Sequence, residues 1–378
     1  MNARSIASAV LLFFILLPSG CSEDPGEVGR GLLTDQDTLH LETREITASS
    51  ASNFLNRING NSGRALAGLS QDLEARAIMQ FPGIPAFGPG VKIDSATVFL
   101  RIEYRFKDTT GEFGLTAHNM LHSWNATSFT WDSVAGSYDI ANAGTFVTTI
   151  TGSDTAVSIH LDSALIRQWS TAGSGSIMLI PSLTTRLVLG FSNSTIAVDT
   201  RPLLTVSYRD TADTTVALTA RSSQAVFVAN ASLPSPPQVT FIQAGVRYSG
   251  LLRFDSLPIP PRVSVLKAYL EVSVDQSASF INGFSRDSLI AFLSRKDVYP
   301  YDSLAFPTIC SPGIFGTRKS YRGDVTNIVQ QWIGREPNNG FVLRSYGDFT
   351  TLDRFAIYGP AAAADLRPKL TVSYTVLP

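Results

Sequence analysis

"RPLLTVSY" occupies Arg201–Tyr208 and "RPKLTVSY" occupies Arg367–Tyr374 of this 378-residue chain. In both copies Leu, Val and Tyr recur at every second position, the period of a strand with one face in a core and the other toward water. Extended backwards without gaps, Thr184–Tyr208 lies over Thr350–Tyr374 with 11 of 25 positions identical. Upstream, "ALIRQW" ending at Trp169 faces "NIVQQW" ending at Trp332. "DSATVFLRIEY" from Asp94 faces "VLKAYLEVSV" from Val265, and "ARAIMQF" ending at Phe81 faces "YSGLLRF" ending at Phe254. The landmarks keep one order in both halves, so the chain reads as a tandem duplication with its joint near Arg209–Thr215. The offset grows from 163 at the tryptophans to 166 at the closing strand, and composition places the added residues in "GREPNNG", Gly334–Gly340.

Most shared segments alternate. Val98, Leu100, Ile102, Tyr104 and Phe106 form one face of their segment; Ala268, Leu270, Val272 and Val274 form the corresponding face of the second copy. The tryptophan segments are the exception. Ile328, Val329 and Trp332 have helical spacing, and Asp162 and Thr326 are suited to N-capping positions. The expected fold is all-β: two tandem antiparallel sandwiches of jelly-roll type, each with one short helix, over residues 34–210 and 211–378. A short joint predicts limited motion between them.

Composition agrees. Lys+Arg 30 nearly cancels Asp+Glu 31, which leaves no electrostatic footprint for nucleic acid. Phe 22, Gly 28 and Pro 20 suit turn-rich β structure. Residues 1–20 read as a signal peptide: Arg4, an apolar run from Ile6 to Leu17, then Ser19 and Gly20 before Cys21. The placement of Cys21 resembles the lipobox of bacterial lipoproteins, which implies lipidation there, a flexible linker over 21–33, and an exported protein held at the outer membrane or cell surface by its lipid. An ordinary signal peptide with an incidental cysteine is the other reading. The remaining cysteine, Cys310, then has no disulfide partner in the chain and is expected to be a buried thiol.

Several features together resemble the DNRLRE domain. They are the strand ending in Phe, "SATVFL" (Ser95–Leu100), Trp124 and Trp131 in "WNATSFTW", the capped helix ending in Trp, and the closing "RPxLTVSY". These are β-sandwich modules grouped with jelly-roll carbohydrate-binding modules and related to parts of archaeal disaggregatases. The resemblance implies an ancillary, non-catalytic module that binds polysaccharide, acidic in some members, and it allows a structural calcium.

Sugar rings offer C–H faces to aromatic side chains, so the candidate ligand-binding residues are Trp124, Trp131 and Tyr138 in the first copy and Tyr299 and Tyr301 in the second. A core position is the competing reading for the tryptophans, and Trp169 and Trp332 are assigned to the core outright. Arg201 and Arg367 are expected to pair with Asp199 and Asp365, two residues back. His118 and His122 are four apart, but no Glu accompanies them in a zinc-protease pattern and the context is β. No nucleophile elbow, CxxC or phosphate loop is present, so no enzymatic activity is expected. A structural or adhesive lipoprotein, with the sandwiches as spacers or protein-docking units, is the alternative function.

Overall fold

The structure, a computed structural model, describes residues 41–376 apart from 58–63, 71, 195–196, 302 and 316–317. Its strands run in the order β1 (Leu41–Thr47), β2 (Ser50–Leu55), β3 (Ala65–Ser70), β4 (Leu73–Pro82), β5 (Lys92–Phe106) and β6 (Gly111–Met120). Then come β7 (Tyr138–Ile150), β8 (Ala156–His160), helix α1 (Ser163–Ala172), β9 (Ser174–Pro181), β10 (Val188–Phe191) and β11 (Leu203–Arg209). β12 (Thr215–Arg221) and β13 (Gln224–Ala231) follow, then β14 (Val239–Gln243), β15 (Tyr248–Arg253), β16 (Val263–Ser273), β17 (Leu289–Ser294) and β18 (Leu304–Phe315). The last elements are β19 (Arg318–Asp324), helix α2 (Thr326–Gly334), β20 (Phe341–Ser345), β21 (Arg354–Tyr358) and β22 (Lys369–Val376). The chain is all-β, built as antiparallel sandwiches with one short helix each.

The alternation places the core. Val98 and Leu100 are buried in the first core, as Ala268, Leu270, Val272 and Val274 are in the second, but a register shift opposite Ile102–Tyr104 leaves Ile102 half-buried and turns Tyr104 and Phe106 away from that first core. Leu204 and Val206 of β11 and Leu370, Val372 and Tyr374 of β22 point into two separate cores. Trp169 and Trp332 are 3% and 8% exposed, and Cys310 is fully buried.

The strands do not stay with their own repeat. β11 turns through a five-residue hairpin, 210–214, into β12, and β13 pairs along β4, so the first sandwich is built from the contiguous segment 65–231. The hairpin is held by Asp210 Oδ1, which accepts from Ala212 N and Thr214 N at 2.9 Å each. At the equivalent places in the second sandwich stand β1, paired with β22, and β2, paired with β15. The registers match: Ile46 faces Leu370 as Ala220 faces Leu204, and Ser50 faces Arg253 as Gln224 faces Gln80. Segment 209–215, expected to be the joint, is therefore a hairpin inside the first sandwich. The chain crosses to the second at 232–238, and the N-terminal strands close the far module. A short hairpin costs little closure entropy, which keeps β12 beside β11 and leaves β22 to be met from the other end of the chain.

Register also relocates the added residues. Met79 faces Ile177, and its counterpart Leu252 faces Phe341, an offset of 164 between Ile177 and Phe341. Two of the three extra residues consequently fall after β20, in the segment 346–353, rather than all in "GREPNNG". That segment docks on the first module. The Leu352 N–H donates to the Tyr104 hydroxyl at 3.2 Å, and Arg64 Nη1 donates to Thr350 O at 3.0 Å. Around them Leu66, Tyr104, Phe106 and Val188 pack with Phe227, Val246 and Leu352 in a third apolar cluster. Phe106 meets Phe280 edge-on at 4.8 Å, and Arg354 pairs with Asp72 at 2.8 Å. The modules are docked through a core of their own.

Two local expectations are corrected. Arg201 Nε donates to Ser194 O and Arg367 Nε to Ala362 O, both at about 2.8–2.9 Å, so these arginines brace backbone carbonyls. Asp199 and Asp365 instead meet Arg221 and Arg318. Asp162 is the N-cap residue of α1, but α2 begins at Thr326 itself. There Asp324 Oδ1 accepts from Thr326 N at 3.1 Å, while Thr326 Oγ1 accepts from Ala268 N at 2.9 Å and ties the helix to β16.

Candidate functional site

Both faces of β4 are buried. Ala77, Met79 and Phe81 face the sandwich core, while Ile78, with Met178, Val226 and Val228, faces outward. That outer face would be an apolar surface in water, and the loop Leu121–Ser137 between β6 and β7 covers it by inserting Phe129 and Val134. Local hydrogen bonds shape the loop. Asn125 Oδ1 accepts from Thr127 N at 2.8 Å and Thr127 Oγ1 at 2.7 Å, and the Ser128 and Phe129 amides donate to Asn125 O. A 3-10 turn over Trp131–Ser133 follows.

This covering leaves a trough along the first module. Trp124, half-buried and edge-on to Phe129 at 6.3 Å, lines a hollow of about 520 Å³ together with His122, Asn125, Ser128 and Ser133. A second hollow of about 280 Å³, lined by Gln80, Asn119, Gln168, Trp169, Ser174 and Ser176, meets the first at His122 and Ser123. Trp169 is fixed there by an Nε1–H bond to Asn119 Oδ1 at 2.9 Å and by stacking on Phe81. No Asp, Glu, Lys or Arg lines either hollow.

Of the three aromatic candidates in this module, Trp124 alone lines the trough. Trp131 carries the Arg76 guanidinium 4.9 Å from its ring centre, and Arg76 is paired with Glu74 at 2.6 Å. Neighbouring Asp132 is held by Arg57 at 2.7 Å. Tyr138 lies edge-on to His118 at 5.3 Å, and His118 bonds Asp139 O and Thr116 Oγ1 through its two ring nitrogens. Trp131 and Tyr138 thus sit in local packing beside the trough. Cys21, the signal peptide and the linker lie outside the described residues.

In the second module Tyr299 and Tyr301 come together, and a third ring joins them. Phe54 of β2 is 4.8 Å from Tyr301 and 6.3 Å from Tyr299. The Tyr299 hydroxyl donates to Leu55 O at 3.2 Å, and Tyr299 is 61% exposed. Phe54 could not be placed here by reading along the sequence, because it belongs to the first repeat and arrives through the strand exchange. Gln168 and Ser176 were equally hidden: each lies on an element remote from the tryptophan loop, and neither forms a motif.

A third hollow, about 490 Å³, opens between the modules beside Glu103, Arg105, Lys107, Asn282 and Phe284. Arg105, Asp154 and Lys107 there are engaged internally, Lys107 over the Phe106 ring. Arg105 donates to Thr109 O and Asp154 O, and the Asp154 carboxyl is held below its ordinary range by hydrogen bonds from the Thr151 amide and hydroxyl. Among the described residues no three His, Cys, Asp or Glu side chains converge.

No family model matches the chain, and no curated protein matches it. Among solved structures, similarity extends to "Red Clover Necrotic Mosaic Virus" at 8% identity, over 90% of this chain and 97% of that one, with a TM-score of 0.13. "Structure of the Macrobrachium rosenbergii Nodavirus" is similar at 7% identity with the same coverage and TM-score. At that TM-score neither likeness bears on fold or function.

Proposed function

We propose that this chain is a non-catalytic surface or periplasmic lipoprotein whose tandem sandwich modules bind polysaccharide. The observation that carries the reading is the trough of the first module, where Trp124 stands among hydroxyl, amide and imidazole side chains in a loop packed on the outer face of the sheet. Sugar hydroxyls both donate and accept, as Ser, Asn and Gln side chains do, and an aromatic ring supplies the apolar contact. The exposed ring of Tyr299, with the half-buried Phe54 and Tyr301 beside it, offers a second platform on the other module. Two linked weak sites gain avidity on one polymer without any new contact. The trough has no carboxylate pair of the kind used in glycoside hydrolysis. Cys21, with its lipid, supplies the membrane attachment in this reading.

Retention of the mature chain, in mild detergent, on insoluble polysaccharides is the test. Trp124→Ala is expected to weaken retention about tenfold, the equivalent of about 1.4 kcal/mol. Absence of retention on every polysaccharide would favour the structural or adhesive role, and release of reducing ends would favour an enzyme.

A further inference from the structure

We infer that the trough selects uncharged polysaccharide and discriminates against uronate polymers, an inference that rests on the polysaccharide reading above. Two joined hollows of about 520 and 280 Å³ present polar side chains without any Asp, Glu, Lys or Arg: His122, Ser123, Asn125, Ser128, Gln168 and Ser176. Most of these groups are not spent inside the protein. Among the described residues the side chains of His122, Ser123, Ser128, Gln168 and Ser176 make no hydrogen bond, and Asn125 uses only its carbonyl oxygen. They can therefore serve a ligand without first breaking an internal bond.

The cations nearby are committed elsewhere. Arg76 is bound to Glu74 and lies over Trp131, Arg57 is bound to Asp132, and the Arg167 guanidinium, one residue from Gln168, donates to Val91 O. A carboxylate on each sugar would leave water for a surface offering it no counter-charge, and an uncompensated ion pays far more for that transfer than a hydroxyl does. Charge-assisted bonds, the strong contacts that uronate recognition relies on, have no Arg or Lys in the trough to form them. Recognition by hydroxyl pairing and ring contact suits a neutral polymer running from Trp124 across His122 and Ser123 to the end of α1.

The test is titration of the full mature chain with four soluble polymers, a neutral glucan, a neutral mannan, a mannuronate–guluronate polymer and a galacturonate polymer, each at low and high salt. Binding to at least one neutral polymer, changed less than twofold by salt and weakened about tenfold by Trp124→Ala, is the expected result. Gln168→Ala and His122→Ala alter exposed side chains that make no internal bond, so they keep the test open if the tryptophan variant misfolds. Each is expected to weaken neutral-polymer binding at least threefold. Binding confined to uronate polymers, or neutral binding indifferent to both of these variants, overturns the inference while leaving polysaccharide binding intact. Silence on all four polymers overturns both.

Discussion

A Cβ on Gly175 would lie 1.8 Å from the Trp169 ring, so the tryptophan packs against β9 only because this position has no side chain. The second module shows the alternative. Continuing its register puts Asn339 where Gly175 stands, and Trp332 there meets Phe341 edge-on at 4.6 Å with no acceptor for its indole N–H. Gly175→Ala should cost about 1–3 kcal/mol by overpacking, read as an earlier denaturant midpoint, and should weaken polymer binding by displacing the trough floor. An unchanged midpoint would mean that Trp169 is not confined as described. At the module interface, burial pushes the Asp348 carboxyl above its ordinary 3.8, with Arg247 and Arg344 pulling it partly back. A carboxyl raised in the fold binds its proton more tightly when folded, so its ionisation weakens the protein as pH rises from 3.8 through the folded value. Asp348→Asn lacks that loss. The stability of the variant relative to the parent should therefore increase with pH in this window, and a relative stability that falls would show the arginines prevailing over burial.

The strands illustrate what could be read from sequence and what could not. Val98, Leu100 and Ala268 to Val274 are buried as their period of two predicts, whereas the register shift at Ile102–Tyr104 sends Tyr104 and Phe106 into the inter-module cluster. Both tryptophan helices lie where spacing puts them, though only Asp162 is an N-cap. Which copy of the first strand pair joins which sandwich was invisible, because β1–β2 and β12–β13 dock in equivalent registers. Chain connection decides it, through the hairpin at 210–214. For the same reason Phe54 gave no sign in the sequence of lying beside Tyr299 and Tyr301. A chain lacking β1 and β2 should lose stability in the second module alone. It would forfeit the Tyr374 hydroxyl bond to Glu42 at 2.9 Å and the Lys369–Glu45 pair at 2.8 Å, and it would bare the edges of β22 and β15. Hydrogen exchange should then quicken in β15 and β22 while β4 and β11 keep their protection. Faster exchange in β4 and β11 instead would place the N-terminal strands on the first module.

At the scale of the molecule, two sandwiches, each closed by its own strand pair, share an apolar interface, so the trough and the aromatic cluster are held in fixed relation. The apolar contacts of Tyr104, Phe106 and Leu352 hold the modules together, and the hydrogen bond between Tyr104 and the Leu352 amide adds a directional lock. Rigid spacing lets one polymer meet both sites only if its path fits, which turns geometry into selectivity. Hydrogen exchange of the full chain with and without a saturating neutral polysaccharide tests the central claim most directly. Protection confined to 119–137 and 168–176, with or without a second zone at 297–301, is the predicted result. Protection absent from the first of these segments, or centred on the inter-module hollow at 102–109 and 280–284, would contradict it.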